Sequence, residues 1–358
     1  MAVIRPDGSK AMSTRWLISG KVSPFAGFRR PAHHSPNGRR SKCANALSAV
    51  CNRRMVPRRR WRLDLMRITD QLWLVPAMNS GRFPFAQSVY VDAERKLLFD
   101  AGLGPQLMGQ FVRQYPVDIV IVSHSHPDHI AGCWMLADMA PIFVPNEAAE
   151  SFGRLDLLAE RFVEGEEERN LWKALVTKVM GYRDCPHQRV YDGRSAFDLG
   201  SVKLIALHTP GHVVDHYCFF EANSGVMLLF DIDLSPSGPW YGHRESDVGR
   251  YEASIEFVRS FSPEIAVTSH MGVLRQGVDA ALEEFRARFS RRDEWLLDML
   301  KEPRLLDELA EGFPFSKGFH PKLKPLALYW EKQMLRKHAD RLVESGLALP
   351  VGDRFVRR

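Results

Sequence analysis

Closely spaced cysteine pairs are missing from this chain. Its five cysteines (Cys43, Cys51, Cys133, Cys185 and Cys218) are odd in number and show no CxxC spacing. That usage argues against a disulfide framework and against a cysteine-ligated zinc finger, and it fits a reducing, cytoplasmic setting. No run approaches the roughly 18 to 20 apolar residues that a membrane-spanning helix needs, so no membrane partner is expected. Internal repeats are absent too. Apolar types at 45% and charged types at 26% exclude wholesale disorder. Acidic residues are scarce in one place only: residues 1–60 hold fourteen Lys and Arg against a single acid, Asp7, whereas residues 61–358 carry 35 basic and 42 acidic residues. The net charge of +6 therefore belongs to the leading segment and describes nothing about the globular part.

That leading segment is rich in Arg and Ser, contains Arg58-Arg59-Arg60, and has no apolar periodicity. It fits an organellar transit peptide, a basic arm for nucleic acid or acidic lipid, or an over-long start, since Met66-Arg67-Ile68 precedes the first strand-like run. Residues 1–65 are expected to be disordered and outside the fold in each case.

From Gln71 onward short strands alternate with turns. Leu72–Val75, Ser88–Val91 and Lys96–Phe99 read as strands, and Val117–Val122 has the continuous apolar composition of a strand buried on both faces. A helix is expected from about Asp128 to Met139, followed by a strand at Ile142–Val144. Residues 146–180 read as helical with a solvated acidic face. A second block comprises strands at Val202–Leu207, Tyr217–Glu221 and Val226–Phe230, a helix at Asp247–Ser260 and a strand at Ile265–Thr268. Two groups of strands with helices outside predict two facing sheets covered by helices on both sides. The C-terminal stretch reads as helices at Asp293–Leu300, Leu305–Ala310 and Leu326–Ser345, then a hairpin within Leu347–Val356 that turns at Val351-Gly352-Asp353.

The segment Ser123-His124-Ser125-His126-Pro127-Asp128-His129 directly follows the buried strand. Three histidines and a carboxylate where a chain turns can converge on one point, and neutral imidazole with carboxylate suits Zn, Fe, Mn or Ni. Capping of the next helix by Asp128 would not require three histidines. Two further strand-end histidines, in Thr209-Pro210-Gly211-His212 and Thr268-Ser269-His270, and the strand-end Phe230-Asp231-Ile232-Asp233 point to the same site.

The combination His-x-His-x-Asp-His, Thr-Pro-Gly-His, strand-end Asp and strand-end His resembles the metallo-β-lactamase superfamily over about residues 70–275. It resembles the glyoxalase II-like branch more than the antibiotic-degrading lactamases, and the C-terminal helices with their two-stranded wing resemble the winged-helix module of the lactamase-β-like 2 group. The resemblance implies an α/β fold, an αββα four-layer sandwich of two facing mixed sheets over residues 66–280. It also implies a helical winged-helix-like C-terminal module over residues 281–358. His124, His126 and His212 would hold one metal and Asp128, His129 and His270 a second, with a carboxylate and a hydroxide shared between them. Members usually present Gly-Asp at the shared carboxylate, whereas this chain has Phe230-Asp231-Ile232-Asp233; Asp231 is favoured, with Asp233 as the alternative. His216 is expected to support the ligands and His243 to line the pocket. His208 reads as structural, and His187 receives no role.

Two divalent ions, zinc first and iron or manganese as alternatives, would lower the pKa of a shared water for attack on a carbonyl or phosphorus, with Asp128 as catalytic orienter or base. The favoured function is hydrolysis of a thioester or ester of a small molecule, like that of a hydroxyacylglutathione hydrolase. A single-stranded RNA endonuclease and a β-lactam or lactone hydrolase are the alternatives. The acidic balance of residues 61–358 weighs against RNA, since nucleic-acid grooves are built from Lys and Arg. A binding protein using the C-terminal module would leave an intact ligand set without purpose. Oligomeric state is open, a homodimer included.

Overall fold

The architecture is that of a computed structural model that describes residues 63–187, 189–316 and 321–358. The disorder expected of the leading arm concerns residues that lie, but for the last three, outside this range. Of those three, Leu63 is buried and its N–H donates to Gln114 Oε1 at 3.0 Å.

Seven strands form the first sheet in chain order: β1 (Met66–Arg67), β2 (Leu72–Val75), β3 (Ser88–Asp92), β4 (Lys96–Phe99), β5 (Ile119–Ile121), β6 (Ile142–Pro145) and β7 (Arg189–Tyr191). The pairings up to β4 are antiparallel and those from β4 to β7 are parallel. The second sheet comprises β8 (Ala196–Asp198), β9 (Lys203–His208), β10 (Tyr217–Glu221), β11 (Val226–Phe230), β12 (Ile265–Thr268) and β13 (Gly272–Leu274), with only β11 and β12 parallel. Both sheets are therefore mixed.

Strand periodicity sorts the side chains into layers. Leu97, Phe99, Ile119 and Ile121 enter the apolar space between the sheets, where they meet Val226, Leu228 and Phe230. The intervening Leu98, Val120 and Val122 face outward onto helices α1 (Pro105–Gln114), α3 (Leu155–Phe162) and α4 (Glu166–Leu175). Met227 and Leu229 face the other way, onto α5 (Val248–Arg259) and α6 (Val278–Met299). A period of two in each strand thus produces helix, sheet, sheet and helix layers.

Some elements differ from expectation. The helix expected over Asp128–Met139 is a single turn, α2 (Pro127–Ile130), followed by a 3-10 turn at Cys133–Met135. Gly132 breaks the run: its N–H bonds to Ala101 O at 2.9 Å, and a Cβ there would lie 2.6 Å from that same oxygen. The C-terminal part begins with one 22-residue helix, α6, whose buried Val278, Leu282, Phe285, Phe289, Arg292 and Leu296 keep a spacing of three and four. After α7 (Leu306–Ala310), helix α8 (Lys324–Glu344) wedges between two cores, with Leu326 and Trp330 in one and Met334, Leu335, Ala339 and Leu342 in the other. The hairpin of β14 (Ala348–Val351) and β15 (Arg354–Arg357) closes the chain. Cys133, Cys185 and Cys218 are free thiols, and no described helix is long and apolar enough to cross a membrane.

Candidate metal centre

Five loops at the ends of β4, β5, β9, β11 and β12 converge on one edge of the sandwich. The loop after β5 carries His124, His126, Asp128 and His129, all buried. It is pressed against the loop after β4: Ala101 N–H donates to His129 O at 2.7 Å, and a Cβ on Gly102 would sit 1.7 Å from Asp128 O. Only glycine permits that approach.

Two ligand-type groups result. Atoms of His124, His126, His212 and Asp231 lie within 4.8 Å of one another, as do atoms of Asp128, His129 and His270. Asp231 faces both groups. Its Oδ2 is 3.2 Å from His212 Nε2 and 3.8 Å from His124 Nε2, while its Oδ1 is 3.0 Å from His129 Nε2 and 3.5 Å from His270 Nε2. His270 Nε2 also lies 3.7 Å from Asp128 Oδ2.

The outward nitrogens fix the ring orientations. His129 Nδ1 contacts Asp100 Oδ2 at 2.8 Å, His212 Nδ1 the Trp240 carbonyl at 2.8 Å and His270 Nδ1 the Gly81 carbonyl at 2.6 Å. His124 Nδ1 meets Ser123 Oγ at 3.0 Å, and that hydroxyl donates to Asp100 Oδ2. A proton held on each outward Nδ1 leaves the Nε2 lone pair aimed inward, the arrangement metal-binding histidines use. His126 differs, with its Nδ1 2.8 Å from His212 Nε2.

The chemistry of the set fits divalent cations. His124 Nε2, His126 Nε2, His129 Nε2 and Asp231 Oδ1 are buried with no hydrogen-bond partner, a costly state for a protein interior unless something else satisfies them. Burial holds the His124 and His126 imidazoles well below their ordinary value and hence neutral, as ligands must be. Burial would raise the Asp231 carboxyl, but the facing His129, His270 and His124 rings hold it well below the usual range. Burial likewise opposes charge on His129 and His270, yet the facing carboxylates raise both values, that of His270 to about 9; a cation bound at Nε2 would displace that proton, since metal binding by histidine releases protons.

The end of β11 explains how Asp231 reaches the site without a preceding glycine. The β11–β12 register shifts between Leu228 and Phe230, and Phe230 takes a left-handed φ of 51°. That conformation costs a non-glycine residue roughly 1–2 kcal/mol; the Phe230 ring is 2% exposed and packs 5.5 Å from Phe99, which offsets it. Asp233 turns away into a local turn, accepting Ser235 N–H at 3.0 Å, and burial raises its carboxyl to about 6. It belongs to neither ligand group.

His216 uses both nitrogens in support: Nδ1 meets Thr209 O at 3.0 Å, and Nε2 accepts the Asp231 backbone N–H at 3.3 Å, with burial lowering its value to about 3. His243 stacks on Phe162 at 4.4 Å, with its ring 4.7 Å from that of His126 and 4.9 Å from that of Trp240. His208 lies outside both groups, bonded to Val214 O at 2.8 Å and stacked on Tyr217. His187 lines a separate cavity of about 510 Å³ with Arg154, Asp184 and Cys185.

Sequence reasoning missed Asp100, Ser123, Arg161, Asp215 and the Trp240 carbonyl. Asp100 had a readable signal, a carboxylate at the end of β4 before Ala101-Gly102, the same placement that marked Asp231. Ser123 touches its neighbour His124 but is held by the distant Asp100, and the remaining three act through long-range contacts with no local pattern.

Strand-end imidazoles and carboxylates around unsatisfied inward atoms, on a helix-covered double sheet, define a protein of the metal-dependent hydrolase class. The family model described as the metallo-beta-lactamase superfamily matches residues 82–270, and the chain belongs to that superfamily. Among curated relatives, the atrochrysone carboxyl ACP thioesterase of Aspergillus chevalieri is 27% identical over 256 residues, 67% of this chain and 69% of that one. The protein of the same name from Passalora fulva is 24% identical over 252 residues, 66% of this chain and 64% of its own. Lactamase-like protein nscB of Aspergillus fumigatus matches 38% of this chain and 40% of its own length at 28% identity. Two solved structures share the fold. A metallo-beta-lactamase family protein of Thermus thermophilus has a TM-score of 0.61 and 21% identity, covering 82% of this chain and 100% of that one. A beta-lactamase domain protein of Burkholderia ambifaria has a TM-score of 0.63 and 15% identity, covering 83% and 94%.

Proposed function

We propose that this metal-dependent hydrolase cleaves a thioester of a small acyl group by way of two divalent cations, zinc first among them, with an acyl–carrier-protein thioester as the leading substrate form. The observation that carries the reading is the placement of one carboxylate, Asp231, with an oxygen toward each ligand group. His124, His126 and His212 hold one cation in this reading, Asp128, His129 and His270 the other, and Asp231 serves both. The chemistry the cations supply when bound is Lewis acidity, which activates water near neutral pH and polarises a carbonyl. Asp128, 6% exposed, takes the proton from the attacking water and orients it. Asp100 and the Trp240 and Gly81 carbonyls keep the imidazoles in the tautomer that points Nε2 inward.

The thioester preference draws on the relatives named as ACP thioesterases. Residues 281–358 act in this reading as a winged-helix-like wall beside the site: Trp330 on α8 lies 5.6 Å from Trp240, ring to ring. Charge pairing in that module favours a wall over an RNA surface, since Lys324, Lys332, Arg336, Arg341 and Arg354 all pair with carboxylates. Hydrolysis rates across thioesters, lactones, β-lactams and RNA, with metal content measured on the same preparation, test the proposal. Thioester turnover that a chelator abolishes and zinc restores is expected; preference for RNA or full activity without metal would overturn it.

A further inference from the structure

Helix α3 lies in the charged stretch 146–180 that sequence reasoning read as a solvated face, yet Leu158, Ala159 and Phe162 near its end are buried. Arg161 is there, with a side chain only 14% exposed. Every N–H of its guanidinium has an acceptor. Nε donates to Glu245 Oε2 at 2.7 Å, Nη1 to Ser125 Oγ at 2.9 Å and Ser151 Oγ at 3.2 Å, and Nη2 to Asp215 Oδ1 at 2.7 Å and Glu245 Oε1 at 2.6 Å. The far oxygen of Asp215, a fully buried carboxylate, accepts the Ser125 backbone N–H at 3.0 Å. Glu245 Oε1 also accepts Val214 N–H at 3.4 Å.

Ser125 separates His124 from His126, and Val214 and Asp215 lie between His212 and His216. One planar guanidinium therefore ties together the two loops that present the three histidines of the first ligand group. We infer that Arg161 is a positioning residue for the candidate metal centre, its fork-shaped donor set fixing the distance between the His124–His126 loop and the His212 loop. This rests on the metal-site reading above.

Charge alone does not account for the arrangement. Arg161 faces two carboxylates, so removing its charge would make the surroundings more negative and, by Coulomb attraction, more favourable to a cation. Geometry predicts the opposite. A lysine keeps the charge but offers three donors on a flexible stem, and cannot reach Ser125, Asp215 and Glu245 in one plane. Losing a group that hydrogen-bonds a metal ligand typically costs about ten- to a hundredfold in metal affinity, and Arg161, which bonds the residues beside the ligands, belongs at the lower end of that scale.

The test is zinc affinity by chelator competition, together with the visible spectrum of the cobalt-substituted full-length protein, for the wild type, Arg161→Lys and Arg161→Ala. We expect about tenfold weaker zinc binding and an altered cobalt spectrum in both variants, with partial recovery in Arg161→Ala on adding millimolar guanidinium. Arg161→Lys binding zinc like the wild type would overturn the inference, as would a folded Arg161→Ala that binds equally or more tightly. If Arg161→Ala does not fold, Arg161→Lys decides alone. Absence of zinc binding in the wild type would instead refute the metal-site reading.

Discussion

Asp231 and Asp233 are two residues apart on one strand end, so simple alternation would aim them the same way. The register shift at Phe230 and the Ser235 turn separate them, leaving Asp231 between the histidine groups and Asp233 outside both. Two cations a few ångströms apart repel strongly unless an anion lies between them. If two cations bind as proposed, Asp231→Asn should lose about one metal equivalent and most turnover, whereas Asp233→Asn should keep both. Elemental analysis of the two variants checks this, and the reverse result would move the shared role to Asp233. His126→Ala and Asp128→Ala should abolish hydrolysis, while His208→Ala, whose ring stacks on Tyr217 away from the site, should keep it. Equal losses in all three would show the histidines to be wrongly sorted.

At the scale of elements, α6 and α8 form one core with the second sheet: Phe285, Phe289, Met334 and Leu335 cluster with Cys218, Met227 and Leu229. A chain ending at residue 280 would expose that whole face, and we expect it to show no cooperative thermal transition and to bind a hydrophobic dye. A sharp melt would instead make the C-terminal module dispensable. Between the two helices a polar chain runs from Arg292 to the Tyr241 hydroxyl at 2.8 Å, and His338 Nδ1 meets Asp293 Oδ1 at 2.6 Å. Burial holds the His338 imidazole below its ordinary 6.5 despite Asp293. A depressed histidine stabilises the fold fully above the unfolded value and less as pH falls through it, because the unfolded chain then binds a proton that the folded chain refuses. His338→Gln should remove that component, flattening the fall in unfolding free energy below pH 6.5 by up to about 1.4 kcal/mol per pH unit. Urea titrations at pH 7 and 5.5 read the difference, and identical slopes would place the acid sensitivity elsewhere.

For the molecule as a whole, the positive net charge is a poor guide, because the basic excess lies in residues 1–60 and the candidate ligands lie between 124 and 270. Deleting residues 1–60 is expected to leave metal content, turnover and melting temperature unchanged. A clear drop in melting temperature on that truncation would show that the arm packs against the fold.

The sequence alone determined the elements whose signal is local. A continuous apolar run marked β5 because a strand buried on both faces has no polar phase, and the cluster from His124 to His129 was legible because its members are neighbours in the chain. The short edge strands β1, β7, β8 and β13 passed unseen, since two or three residues of mixed polarity carry no period. Only the tertiary structure decided that Phe230 takes a left-handed turn, that Asp100 orients His129 across 29 positions, and that Arg161 reaches Asp215 across 54. Those facts depend on which loops the two sheets bring together, and side chains that meet only after the layers close leave no periodic trace in the chain.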